Sequence, residues 1–396
     1  MGIVAYFWTT QVSNSMNNGK IYFKNLDSIR FIACLMVFLQ HGISESYKYL
    51  PIKNTVYEKL LNLISDGGLG VSMFFVLSGF LITYLLITEY ELRGKISVKS
   101  FYIRRMLRIW PLYFLIVAFS FLLYPSLKSL IGMNHPLGSN IFYHLTFLSN
   151  FDVIHIEKNC LGRDALMQNI TWSVSIEEQF YLFWPLLFLL PKRTWIYSIL
   201  FVIAGSMLFR ILHYNDGIVL YFNTLAVLVD LAVGGLMAYL IKENNRIRSF
   251  FENSSTGTHI TLFTITFCLL FWLDLIYAFK YGIALGRILI SISFAFIIAA
   301  QAMTTTTSKL NLANLSFANK WGKYTYGIYL IHPVALTIID VTIRILHIAK
   351  TNFITSFSLG IIGFVFTLLL SKISYVYFES RFLSLKDRFT IIKTRA

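Results

Sequence analysis

His41 stands eleven residues after Arg30 in the stretch LDSIRFIACLMVFLQHGISE, residues 26–45. An imidazole accepts and returns a proton near neutral pH, and a guanidinium holds a phosphate or carboxylate through paired hydrogen bonds. Eleven helical residues make about three turns, so the two side chains share one face, roughly 16 Å apart along the axis. Ala33, Cys34 and Val37 lie between them on that face, small enough for an elongated ligand to lie alongside. A histidine hydrogen-bonded to a neighbouring helix accounts for His41 equally well when it is taken alone.

Four further stretches carry groups of similar kinds. In FYIRRMLRIWPLY (101–113), Arg104, Arg105 and Arg108 fall on one helical face. Three guanidiniums there make a site for phosphate groups, although membrane anchoring explains such clusters too. In TWSVSIEEQFYLFWP (171–185), Glu177 and Glu178 lie inside an apolar run, where a carboxylate needs a partner. Trp172 is expected at the outer interface, in an aromatic belt. Ser78 and Gly79 interrupt GGLGVSMFFVLSGFLIT (67–83) and permit close helix approach. In YTYGIYLIHP (324–333), Thr325, Tyr329 and His332 share a face, and Pro333 leaves a backbone carbonyl without its helical donor. Asp230, midway along another apolar run, is expected to make a structural ion pair or hydrogen bond.

The elements that must position these groups are membrane helices. Of 396 residues, 56% are hydrophobic and 13% charged, with a mean hydropathy of +0.65. A water-soluble domain of this size cannot hide that much apolar surface. Runs long enough to cross about 30 Å of hydrocarbon are predicted near 27–46, 67–89, 108–124, 172–190, 195–213, 218–241, 259–279, 282–303, 324–347 and 352–378. The expected fold is all-α, a polytopic integral membrane helical bundle with about ten transmembrane helices. Residues 125–171 are too polar to span and form the longest loop, in which 140–151 can lie along the interface.

The net charge of +15 does not point to nucleic acid, because the basic residues gather in short segments between apolar runs. With the N-terminus in the cytoplasm and sides alternating, 23 of the 34 Lys and Arg residues fall in cytoplasmic segments and 8 in outer ones. Both termini are therefore expected to be cytoplasmic. Cys34, Cys160 and Cys268 share no close spacing and indicate neither a disulfide framework nor a metal site. Residues 1–20 are expected to form an N-terminal tail, within which Met16 makes an ordinary translation start. Residues 21–380 then form the membrane domain. Residues 381–396 form a basic cytoplasmic tail whose charges signal topology or lie against anionic lipid.

Taken together and in order, LDSIRFIACLMVFLQH, GVSMFFVLSGFLIT, FYIRRMLRIWPLY, TWSVSIEEQFYLFWP and YTYGIYLIHP resemble the acyltransferase 3 family of membrane-embedded acyltransferases. The resemblance covers the chain from about residue 25 to residue 380. It implies transfer of an acyl group, most often acetyl, to hydroxyls of carbohydrates such as O-antigen, capsular or exopolysaccharide. It also implies acyl-CoA, by default acetyl-CoA, as co-substrate, no metal, and residence in the bacterial cytoplasmic (inner) membrane. The family's motif of Arg, ten residues and His matches Arg30 and His41. Its arginine-rich third span matches Arg104, Arg105 and Arg108, which implies binding of the coenzyme A nucleotide. Its Trp-Ser…Glu stretch matches Trp172, Ser173 and Glu177, with Glu178 at a variable position. Ser28 and Phe31 stand where the family often has Gly, and Gln40 where an apolar residue is usual.

On this resemblance, His41 is the expected general base and Glu177 the group that orients it, the two meeting in the outer half of the membrane. Arg30, Arg104, Arg105 and Arg108 are expected to bind acyl-CoA, whose pantetheine arm would thread along the small face of the first helix. Ser78, Trp172, Glu178, Tyr329 and His332 are further candidates. The expected partners are acyl-CoA, a carbohydrate or lipid-linked glycan acceptor, and membrane lipids. The loop residues Asn134, His135, His144, Asp152 and His155 would shape the acceptor side. An acyl-histidine intermediate is the variant mechanism. A transporter or flippase of an acylated or glycan-linked substrate is the competing class, but the sequence shows no internal repeat to support one.

Overall fold

The computed structural model describes residues 22–50, 55–130, 138–159, 170–304 and 308–390. Among these, every regular element is helical. Ten helices form the bundle: α1 (Lys24–Gly42), α2 (Gly67–Arg93), α3 (Val98–Ala118), α4 (Thr171–Leu187), α5 (Trp195–Leu212), α6 (Thr224–Glu243), α7 (Thr256–Phe271), α8 (Gly282–Met303), α9 (Thr325–Ile345) and α10 (Phe353–Ser374). Seven helical stretches among the described residues are long and apolar enough to cross a membrane. An eighth includes α7 and bends by 99°. The helices outside that set, α1 and α4, are those that carry Asp27, Arg30 and His41, and Glu177 and Glu178. Helix α4 has only 17 residues, and the ionisable groups lower the hydropathy of both.

Polar residues at the helix starts set several boundaries. The side chains of Asp66, Asn223 and Asn352 accept the first free backbone N–H groups of α2, α6 and α10. Ser97 does the same for α3, so that helix starts at residue 98 rather than near 108, and all three arginines lie within it. At the far end of α2, Gly94 takes the left-handed conformation (φ +68°) that closes the helix and that a side chain would strain.

Helices α2 and α6 cross backbone against backbone. A Cβ on Gly79 would lie 1.8 Å from the carbonyl oxygen of Leu231, and one on Gly234 would lie 2.0 Å from that of Val76. Only hydrogen at these positions lets the backbones meet. Helix α4 seats against the crossing, where Trp184 Nε1 donates to Thr83 Oγ1 at 2.8 Å. Glu177, Tyr181 and Trp184 share one face of α4, so this anchor fixes which way Glu177 and Tyr181 point.

A charged lock holds α6 to α8. Asp230, fully buried, accepts from Arg287 Nε at 3.0 Å and Nη2 at 2.5 Å, and from Ser291 Oγ at 2.6 Å. This is the structural ion pair expected of a carboxylate in a span. Buried Arg210 bonds the carbonyls of Leu220, Ala226 and Ile283 instead.

The long loop folds into short helices, Ile141–Leu145 and Ser149–Lys158, over the N-terminal end of α4. Its His144 and Asp152 are buried and joined through Ser139, while Thr171 bonds the other ring nitrogen of His144 at 3.0 Å. Both thus hold the loop together. Exposed His155 bonds Asn159. Asn134, His135 and Cys160 lie outside the described residues, as do the N-terminal tail with Met16 and the end of the C-terminal one.

Candidate active site

A cavity of about 240 Å³ runs between α2, α3, α4 and α9. Its lining on α2 extends from Leu85 to Val71, roughly 20 Å of helix. Near Leu85 it adjoins a smaller cavity bounded by Glu89, Arg104, Arg105, Arg108, Lys386 and Thr390. Toward Val71 it ends against Phe74, Phe75, Ser173 and Tyr329. Midway, Ser78 and Tyr181 meet across it at 2.5 Å, and Glu177 is hydrogen-bonded to both.

The end near Leu85 is strongly cationic. Arg105, Arg108, Lys323 and Lys386 all line it. Arg105 lies over the rings of Phe101 and Tyr181, and its buried Nε has no hydrogen-bond partner among the described residues. Lys386 is only 6% exposed. It comes from the C-terminal helix Ser380–Lys386, which packs on α3 rather than lying free along lipid. Arg104 Nη1 ties the following turn in place by donating to the carbonyl of Phe389 at 2.9 Å. Glu177 and Glu379 line the cavity with these cations, Asp387 faces Lys386, and Asp27 is paired with Arg30, so positive charge remains in excess.

The opposite end is polar but uncharged, and it backs onto a pair of imidazoles. Ser173 Oγ and Tyr329 Oη are 2.6 Å apart. Beyond Tyr329, His332 Nδ1 lies 2.7 Å from the Tyr329 carbonyl oxygen. His332 Nε2 lies 3.0 Å from His41 Nδ1. His41 does not line the cavity; it is half-buried on the far side of Tyr329.

Several expected placements change. Glu177 and His41 do not meet: no hydrogen bond or ion pair joins them, and His332 holds His41 instead. The small face of α1 is no open rail. The backbone at Ala33 closes on Gly70, and Cys34 Sγ packs 3.7 Å from the Thr325 carbonyl. Arg30 lines the cavity but is paired with Asp27 at 2.6 Å. Arg104 faces the smaller cavity and pairs with Glu89 at 3.3 Å. Glu178 points away from the larger cavity and accepts from Trp110 Nε1 at 2.9 Å. Trp172 is buried in the bundle, edge-on to Phe75 and Phe222 and tilted against Tyr221, so the short helix Gly217–Phe222 covers what would have been an interfacial position. Gln40 has a local reason to be polar: its Oε1 accepts the Gly67 N–H at 2.6 Å and ties α1 to the start of α2.

Tyr181 and Glu379 are site residues that sequence reasoning missed, and so are Lys386 and Lys323. Both lysines belong to basic segments that positive-inside topology already explains. Only the fold brings them to the arginines.

Fold and site together define a polytopic helical membrane protein with an interior cavity, basic at one end and closed by hydroxyls against paired imidazoles at the other. The chain belongs to the acyltransferase 3 family: the family model described as "Acyltransferase domain" matches residues 23–376. It is similar to "Putative O-acetyltransferase SACOL0978" of Staphylococcus aureus (strain COL), at 30% identity over 340 residues, 80% of this chain and 51% of that protein. It is also similar to "Peptidoglycan O-acetyltransferase OatA" of Listeria monocytogenes, at 26% identity over 385 residues, 91% of this chain and 55% of that protein. The chain thus spans about half the length of these curated relatives. No solved structure matches it.

Proposed function

We propose that this chain transfers an acetyl group from acetyl-CoA, bound from the cytoplasm, to a hydroxyl of a cell-envelope glycan on the outer side of the membrane. One observation carries the reading. A cavity lined by cations at one end is closed at the other by Tyr329, whose carbonyl is joined through His332 to His41. The asymmetry of basic residues supports ten spans with both termini in the cytoplasm, which puts the cationic end inside and His41 outside. The resident membrane is then the bacterial cytoplasmic one. The names of the similar proteins support acetyl as the group and a sugar polymer such as peptidoglycan as the acceptor.

In this reading Arg105, Arg108 and Lys386 hold the nucleotide phosphates, with Lys323 at the rim. The pantetheine arm passes Ser78 and Tyr181 and brings the thioester to Ser173 and Tyr329. Their mutual hydrogen bond opens, and the hydroxyls turn to the thioester oxygen as it gains charge. The acceptor hydroxyl arrives from outside, and its proton passes to His41 Nε2 as its oxygen bonds to the acyl carbon. The carbon–sulfur bond breaks, and the thiolate recovers that proton from the imidazolium. Glu177 holds Tyr181 and Ser78 in the cavity wall.

Membranes containing the chain, given acetyl-CoA and peptidoglycan fragments, are expected to release coenzyme A thiol only when the acceptor is present. His41→Ala, expressed and inserted normally, is expected to abolish that release. A transporter would release none in either case, and near-normal release by the variant would remove His41 from the mechanism.

A further inference from the structure

We infer that Pro333 and His332 act as a device that sets the tautomer of His41, with His332 a positioning residue for the reaction. This role rests on the proposed part of His41 as base, but the geometry stands independently. Proline has no backbone N–H, so the carbonyl four residues earlier in a helix lacks its usual donor. Four residues before Pro333 stands Tyr329. Its carbonyl oxygen accepts from His332 Nδ1, 2.7 Å away.

A carbonyl can only accept, so the hydrogen of a neutral His332 ring sits on Nδ1, and Nε2 is left with a lone pair. That nitrogen lies 3.0 Å from His41 Nδ1. The two rings are 13° from parallel with centroids 5.2 Å apart, so the nitrogens meet edge to edge rather than ring over ring. His41 Nδ1 must therefore donate, which leaves His41 Nε2 without a hydrogen. This is the state a general base needs, and it is the less common tautomer of a free imidazole. Phe38 packs its edge against His332, which is 1% exposed, so the ring cannot swing away. The backbone gap made by one proline is thus passed through two imidazoles to the reacting nitrogen.

The test uses the full chain, labelled with ¹⁵N-histidine in nanodiscs, with the His41 signals identified by their loss in His41→Gln. We expect His41 to carry its hydrogen on Nδ1, and the hydrogen to move to Nε2 in His332→Phe. Pro333→Ala restores a competing N–H to the Tyr329 carbonyl and should shift the same signals toward Nε2–H without removing either ring. His332→Phe should lower kcat about a hundredfold with KM for acetyl-CoA unchanged. His332→Gln, whose side-chain oxygen can still accept from His41, should recover most of that loss. A wild-type His41 protonated on Nε2 would overturn the inference, as would a tautomer indifferent to both variants. The proposed base role fails separately, if His41→Ala retains transfer.

Discussion

Tyr329 reaches both halves of the site: its hydroxyl lies 2.6 Å from Ser173 at the closed end of the cavity, and its carbonyl lies 2.7 Å from the ring of His332. One residue of α9 thus stands between the end of a basic cavity and the pair of histidines. Its backbone is fixed by the helix, and its hydroxyl bonds both Ser173 and the Ile170 carbonyl.

If the hydroxyls of Tyr329 and Ser173 turn to the thioester oxygen, each is worth most when charge develops there. Tyr329→Phe and Ser173→Ala are each expected to lower kcat about a hundredfold, with little change in KM for acetyl-CoA. The double variant should lose less than the product of the two, because the residues act through one shared hydrogen bond. Steady-state kinetics on the four proteins checks this; strictly multiplicative losses would show that the two hydroxyls act apart.

Lys386 gives a prediction about binding alone. Its ammonium is buried beside Arg105 and Arg108 and lines both cavities. Lys386→Gln is expected to raise KM for acetyl-CoA about tenfold, or about 1.4 kcal/mol, and to leave kcat unchanged. Lys386→Arg should remain close to the parent. Dephospho-coenzyme A, used as a competing ligand, distinguishes the phosphates: if Lys386 holds the ribose phosphate, the Gln variant binds this analogue as well as the parent does. An unchanged KM in Lys386→Gln would return the lysine to a packing role.

Much of this site is legible along the chain, and the rest is not, for reasons of scale. His41, Arg105 and Arg108 stand out because an ionisable group in an apolar helix needs a purpose. The helical character of the ten apolar runs follows from their composition. The pairing within the site does not. Glu177 and His41 fall in the same half of a topology diagram, yet helix rotation turns Glu177 toward Tyr181 and Ser78. The small face of α1 suggests a groove, yet Gly70 on α2 is small as well, and two small faces close on each other. The role of Lys386 depends on a contact between helices nearly three hundred residues apart, which local pattern cannot carry. Pro333 is the opposite case: its missing N–H is a covalent fact, so the free carbonyl can be expected before its partner is known.

Gly79 tests whether the α2–α6 crossing positions the site. A methyl group there would lie 1.8 Å from the Leu231 carbonyl oxygen, so the helices must separate. Gly79→Ala is expected to cost about 2 kcal/mol or more and to lower the thermal midpoint in detergent by several degrees. Gly94→Ala, where open space surrounds the Cβ and only the backbone is strained, should cost about 1 kcal/mol. Equal midpoints for the Gly79 variant and the parent would mean that the crossing tolerates separation.

Glu177 offers the sharpest contrast between the sequence-based role and the position found. A carboxylate that oriented His41 would behave like the acid of a catalytic triad, and its amide variant would lose about four orders of magnitude in kcat by favouring the wrong tautomer. In the structure, His332 occupies that place, and Glu177 is bonded to Tyr181 and Ser78 within reach of Arg105 and Arg108. Glu177→Gln keeps the shape of the wall and removes one negative charge facing the proposed phosphate site. The expected result is a loss in kcat of less than about tenfold, since no proton or tautomer depends on the group. KM for acetyl-CoA should fall or stay level, because the attraction of the cations for phosphate is no longer offset. Kinetics of this variant at saturating acceptor separates the two roles, and a loss in kcat near ten-thousandfold would mean that Glu177 reaches His41 once the donor is bound.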